Sequence, residues 1–152
     1  MMWAFGWLDQ QLDLVLFSLL RLDPIEVVQA VLSQIGQFEA KIDLFSQLAN
    51  LRFNDGSKTG LIKQLHDDLD DVNGKRNHIV HGRGSSFIWP PLRIAIVRGR
   101  PKSEQFGQKN YFYEAREISE MANKMIKLGT QLGSLRWEIN DLFDKAPPKE
   151  PA

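Results

Sequence analysis

Three stretches of this chain place apolar residues at alternating three- and four-residue steps, the spacing that keeps one stripe of a helix facing a neighbour. The first is Phe5, Leu8, Leu12, Val15 and Leu19, and the second is Val28, Val31, Ile35, Phe38, Ile42, Phe45 and Ala49. The third is Ile118, Met121, Met125, Leu128, Leu132, Leu135, Ile139 and Leu142, in which Gly129 and Gly133 permit a close helix approach. Asp23, Pro24 and Glu26 form an N-terminal signal for the second helix, which implies a tight turn after the first. A further helix is expected from Ser57 to Gly82, introduced by the turn signal Asn54-Asp55-Gly56-Ser57 and closed by Gly82 and Gly84. Four helices of this kind predict an all-α fold, an antiparallel four-helix bundle.

The connection from Arg83 to Tyr113 is too long for an ordinary loop. Its segment Leu92 to Arg100 has β-branched residues and alternation, and Asn110 to Tyr113 offers a returning strand. A small β-hairpin or a long loop between the third and fourth helices is therefore expected. With 152 residues and 43% hydrophobic content the chain fits one domain, placed at residues 1–144. Residues 145–152, proline-rich and charged, are expected to be a disordered tail.

Nineteen basic and nineteen acidic residues cancel, so no global field draws the protein to nucleic acid or membrane, and an electrostatic partner must be held by a local patch. The apolar N-terminus lacks a basic leader and is interrupted by Asp9, Gln10, Gln11 and Asp13, so it reads as an amphipathic helix with no membrane role. With no cysteine, disulfides, thiolate catalysis and cysteine zinc sites are excluded. The reading is a cytoplasmic protein. No metal site and no cofactor are expected: His66 has no evident partner, His78 reads as solvent-facing, and Asp67 and Asp71 project to the solvated side.

At about 100° per residue, Leu61, Ile62, Leu65, Leu69, Val72, Ile79 and Val80 fall in one arc, and Arg76 falls inside it. A guanidinium there must reach out, find a carboxylate or line a polar cleft. Asn73, Asn77 and His81, four apart, border the arc. Basic residues at a helix C-terminus also favour its dipole, so helix-end chemistry is a competing account of Arg76 and His81. From Lys75 to Lys109 the chain carries Lys75, Arg76, Arg83, Arg93, Arg98, Arg100, Lys102 and Lys109 against the single acid Glu104, with Phe87, Trp89 and Phe106 interleaved. Such a segment suits RNA, with bases stacked beside contacted phosphates. It equally suits an acidic protein partner.

The run Arg76-Asn77-His78-Ile79-Val80-His81-Gly82 resembles the R-x4-6-H motif of the HEPN domain family, found near the end of a helix in a four- to five-helix bundle. The resemblance implies a homodimer in which the motif helices of both protomers face one cleft. It implies RNA cleavage without a metal: Arg76 stabilising phosphorane charge, His81 moving a proton, and Asn77 orienting phosphate or imidazole. Attack by the RNA 2′-hydroxyl would leave a 2′,3′-cyclic phosphate. RNA-binding residues would be Lys75, Arg83, Arg93, Arg98, Arg100 and Lys102. The family context implied is a prokaryotic toxin, with an antitoxin such as a nucleotidyltransferase-like protein, or an antiphage component. The alternative is a non-catalytic HEPN-like homodimer that binds a protein partner or nucleotide.

Overall fold

A computed structural model of the chain describes residues 1–21, 25–81, 83–87, 93–98 and 109–145. The described chain is mostly helical: α1 (Met2–Leu20), α2 (Ile25–Gln34), α3 (Phe38–Arg52), α4 (Thr59–His81) and α5 (Ala115–Asp144). Between α4 and α5 lie β1 (Arg83–Phe87), β2 (Arg93–Arg98) and β3 (Lys109–Glu114), an antiparallel sheet of order β1-β2-β3. The expected hairpin is the pair β2 and β3, in which Arg93 stands opposite Glu114 and Arg98 opposite Lys109. The expected cap at Asp23, Pro24 and Glu26 lies outside the residues described in full, as does the tail after Lys145.

The second apolar stripe does not form one helix. It breaks at residues 35–37, and Gln37, extended at φ −104° and ψ 127°, starts α3 afresh. Gly36 stands in the break, and glycine, which loses the most backbone freedom in a helix and is about 1 kcal/mol less favourable there than alanine, favours an interruption at that point. Of the stripe, Ile42, Phe45 and Ala49 are buried while Val31 is exposed and Leu32 is buried in its place.

This break sets the helix directions. Phe5 of α1 packs on Phe38 of α3, Lys41 reaches Asp9 and Asp13, and Arg52 donates to the carbonyl of Leu19, so α1 and α3 run the same way. Gly129 lies against Trp7, and Arg21 reaches Asp144, so α5 runs the same way too. Only α4 opposes them, through Lys58 with Glu138 and Lys124 with Asp68. The four long helices are therefore three parallel and one reversed, rather than alternating up and down, because α2 returns the chain to the starting end before α3 begins.

The core joins Leu8, Leu12, Leu16 and Leu19 of α1 to Phe45, Leu65, Leu69, Met125, Leu128 and Leu132, all almost fully buried. The first stripe is buried entire; in the third, Leu142 is 53% exposed, and Phe143 packs against the core in its place. Asp55 accepts from the Ser57 amide at 2.9 Å and Gly56 has φ 77°, a turn of the kind its sequence signals.

Candidate functional site

The C-terminal end of α4 is placed by the same helix directions. It finishes at the end of the bundle where α1, α3 and α5 begin, so three helix N-termini, each with partial positive charge, share that end with Arg76. Glu114 and Glu117 cap α5 by a reciprocal pair of hydrogen bonds, whereas α1 and α3 start without a side-chain cap.

Arg76 is half-buried, with its guanidinium 4.5 Å from the centre of the Phe5 ring. One terminal nitrogen donates to Asn77 Oδ1 at 2.9 Å, and Asn77 Nδ2 faces Asn73 Oδ1 at 3.4 Å. Asn73 is buried, only 5% exposed. The result is a polar chain from Asn73 through Asn77 to Arg76, floored by Phe5, which itself rests on Phe38 at 4.8 Å. No carboxylate among the described residues pairs with Arg76, and its Nε is buried with no hydrogen-bond partner there. Arg52 over Phe143 and Arg136 over Trp137 likewise have no carboxylate among the described residues, but neither of them is joined to a buried side-chain amide. Lys41, Lys58, Lys75, Lys124, Arg21, Arg116 and Lys145 each hold an Asp or Glu.

A guanidinium fixed by a ring and an amide, with one nitrogen uncommitted and no anion beside it, is equipped to take an anionic oxygen. His81 ends α4 five residues on, and its side chain lies outside the described set. The backbone positions of Arg83, Arg93 and Arg98 are in the sheet, while Arg100 and Lys102 lie outside the described residues. In the backbone pairing, Arg83 stands opposite Val97, Arg93 opposite Phe87 and Glu114, and Arg98 opposite Lys109. Lys75 is already engaged with Asp71 at 2.9 Å.

Asp71 and Asp68 also receive Lys124 of α5, at 3.0 and 2.7 Å, so the acidic run on α4 is a clamp between helices. Burial disfavours the Asp71 carboxylate, but hydrogen bonds from Lys75 and Lys124 outweigh it and hold its pKa below the ordinary value. A cavity of about 230 Å³ adjoins this clamp, lined by Asp71, Lys75, Tyr113, Glu117, Met121 and Lys124. His78 is half-buried, with Nδ1 3.5 Å from the Tyr113 hydroxyl, rather than facing solvent. His66 meets Asp43 at 3.4 Å and Asp67 at 3.3 Å, partners that sequence spacing did not reveal. Phe5 and Phe38 were legible only as core residues; nothing in their spacing signals that they would floor Arg76.

Comparison with protein-family models, with curated proteins and with solved structures returns no match. Among the described residues, no helix is long and apolar enough to cross a membrane.

Proposed function

We propose that this chain is a HEPN-like RNA-directed protein that takes a backbone phosphate at Arg76 and cuts RNA beside it without a metal. The observation that carries the reading is the Arg76 guanidinium, held over Phe5 and by Asn77 with no carboxylate partner among the described residues. Of the three helix N-termini at that end, α1 alone has no acidic residue in its first turn, and it adds favourable potential for an anion. In this reading Arg76 offsets the charge that builds on the phosphorus oxygens, and His81 takes the proton from the attacking 2′-hydroxyl or returns one to the leaving oxygen. Asn77 keeps Arg76 in place. The strand arginines would extend contact along the backbone, and a toxin or antiphage setting, with a partner that restrains cleavage, fits such an activity.

The test separates binding from cleavage. The parent protein is expected to cut single-stranded RNA in EDTA and to leave 2′,3′-cyclic ends. His81→Ala should slow cleavage by roughly 10²- to 10⁴-fold with affinity little changed, while Arg76→Ala should lower both. Cleavage abolished by EDTA, or intact in His81→Ala, refutes the catalytic assignment. A folded protein that binds RNA through Arg76 and cuts none points to the non-catalytic alternative, and loss of neither binding nor cleavage in Arg76→Ala refutes the site.

A further inference from the structure

Asn73 lies about two turns before the end of α4, and apart from Lys41 it is the one buried polar residue among those described. Asparagine is a poor residue for the middle of a helix, and its amide is costly to bury. Its neighbours on α4, Leu69 and Val72, are wholly buried and apolar, so packing alone would favour a hydrocarbon side chain at position 73. Among the described residues its side chain has one hydrogen-bond partner. Asn77, one turn on, donates through Nδ2 to Asn73 Oδ1 in a long contact of 3.4 Å.

The amide of Asn77 has two unlike ends, and its own torsion barely distinguishes the two orientations that exchange them. With Oδ1 turned to Arg76 it accepts from the guanidinium at 2.9 Å. Turned the other way, it sets its NH₂ against that guanidinium, donor against donor. Asn73 Oδ1 gives Nδ2 an acceptor in the first orientation only. Arg76 Nε is buried without a hydrogen-bond partner among the described residues, so the guanidinium is oriented by the Phe5 ring, 4.5 Å from the ring centre, and by this relay of two asparagines.

We infer that Asn73 is a positioning residue for Arg76. By holding the Asn77 amide with its oxygen toward the guanidinium, it keeps Arg76 over Phe5 with its uncommitted nitrogen presented to an anion. The benefit to RNA rests on the reading of Arg76 as the group that takes a backbone phosphate, whereas the hold on the side chain is a property of the free protein and is measured without a ligand.

The Arg76 Nε proton is kept from water while the guanidinium stays in place, so its N–H signal, assigned by its disappearance in Arg76→Lys, should be visible by NMR in the parent protein at neutral pH. Asn73→Ala removes the acceptor, adds no bulk and supplies a better helix former, and it should lose that signal to exchange with water; Asn77→Ala should lose it too. Asn73→Ser, too short to reach Asn77, serves the same test should alanine unfold the protein. Ile62→Val, which thins the core on the same helix, should lower stability and leave the signal unmoved. Affinity for a short 2′-O-methyl oligouridylate, which cannot be cut through its own 2′-oxygen, should fall by roughly 2- to 10-fold in Asn73→Ala. In an Asn77→Ala background the same substitution should change affinity by less than about 2-fold, because its effect passes through Asn77. An Arg76 signal absent from the parent, or unchanged in folded Asn73→Ala, overturns the inference. So does a loss of affinity from Asn73→Ala that is undiminished when residue 77 is already alanine. A parent protein that binds no oligouridylate, with an Arg76 signal that still depends on Asn73, supports the hold on Arg76 and refutes the RNA reading instead.

Discussion

Gly129→Ala is the sharpest probe of how α1 meets α5. A Cβ built there would overlap Cζ3 of Trp7 and lie 2.7 Å from both Cε3 and Cη2. Carbon atoms pack at about 3.5–4.0 Å, so the indole must retreat by more than about 1 Å or the helices must part. Overpacking of this kind costs about 1–3 kcal/mol, against a gain of about 1 kcal/mol for alanine over glycine inside a helix. The net expectation is a loss of about 1 kcal/mol, or roughly 2–4 °C in Tm for a domain of this size. Removing the ring reverses the sign: in a Trp7→Ala background the overlap is gone, and Gly129→Ala should stabilise by about 1 kcal/mol. The coupling of about 2 kcal/mol is read from urea denaturation of the four proteins at one fixed concentration. If Gly129→Ala has the same sign and size in both backgrounds, the indole does not lie over Gly129 and the close approach of α1 and α5 is refuted.

Lys41 is almost buried between Asp9 and Asp13, both at 2.8 Å, so Lys41→Met should cost about 3 kcal/mol by stranding two neighbouring carboxylates, a drop of roughly 6–12 °C in Tm. Burial opposes its charge, but the hydrogen bonds it donates to Asp13 and Asp9 outweigh burial and raise its pKa above 10.5; its contribution is therefore complete below that value and fades as pH rises through the raised one, a loss that denaturation above pH 10 should detect in the parent and not in Lys41→Met. Phe5→Leu keeps an apolar side chain but removes the ring beneath Arg76, and should weaken RNA binding by roughly threefold or more, the value of a cation–π contact of about 0.5–1 kcal/mol or above; unchanged affinity would detach the ring from the site. Neutralising Arg98 and Arg100 together should flatten the salt dependence of RNA binding by roughly 0.7 in slope per lost phosphate contact, and an unchanged slope would reassign that segment.

The sequence was most legible where one face of a helix had a single neighbour to satisfy. The stripes of α1 and α5 and the turn before α4 follow from apolar spacing and from Gly56. The β2–β3 pairing followed from alternation, but β1, with the run Gly84-Ser85-Ser86, carries no β-branched residue to announce a strand. The break at residues 35–37 was hidden because Ile35 and Phe38 continue the helical spacing across it. Periodicity also carries no information about direction, so the parallel course of α1, α3 and α5 was out of reach. For the candidate site, the spacing placed Arg76 on the apolar arc of α4, yet its floor, Phe5 and Phe38, comes from two other helices.

The parallel alignment of α1 and α5 joins residues such as Trp7 and Gly129 that are roughly 120 positions apart, which makes this a pairing of high contact order. During synthesis the apolar face of α1 emerges first and its main partner emerges last, an interval of several seconds to tens of seconds at ordinary elongation rates. Through that interval α1 has chiefly α3 to shelter Leu8, Leu12 and Leu16, and those side chains offer a target for chaperones or for a neighbouring nascent chain. Completion of the core then waits on α5, so folding speed should respond to substitutions at Leu128 and Leu132 more than to any change within the sheet.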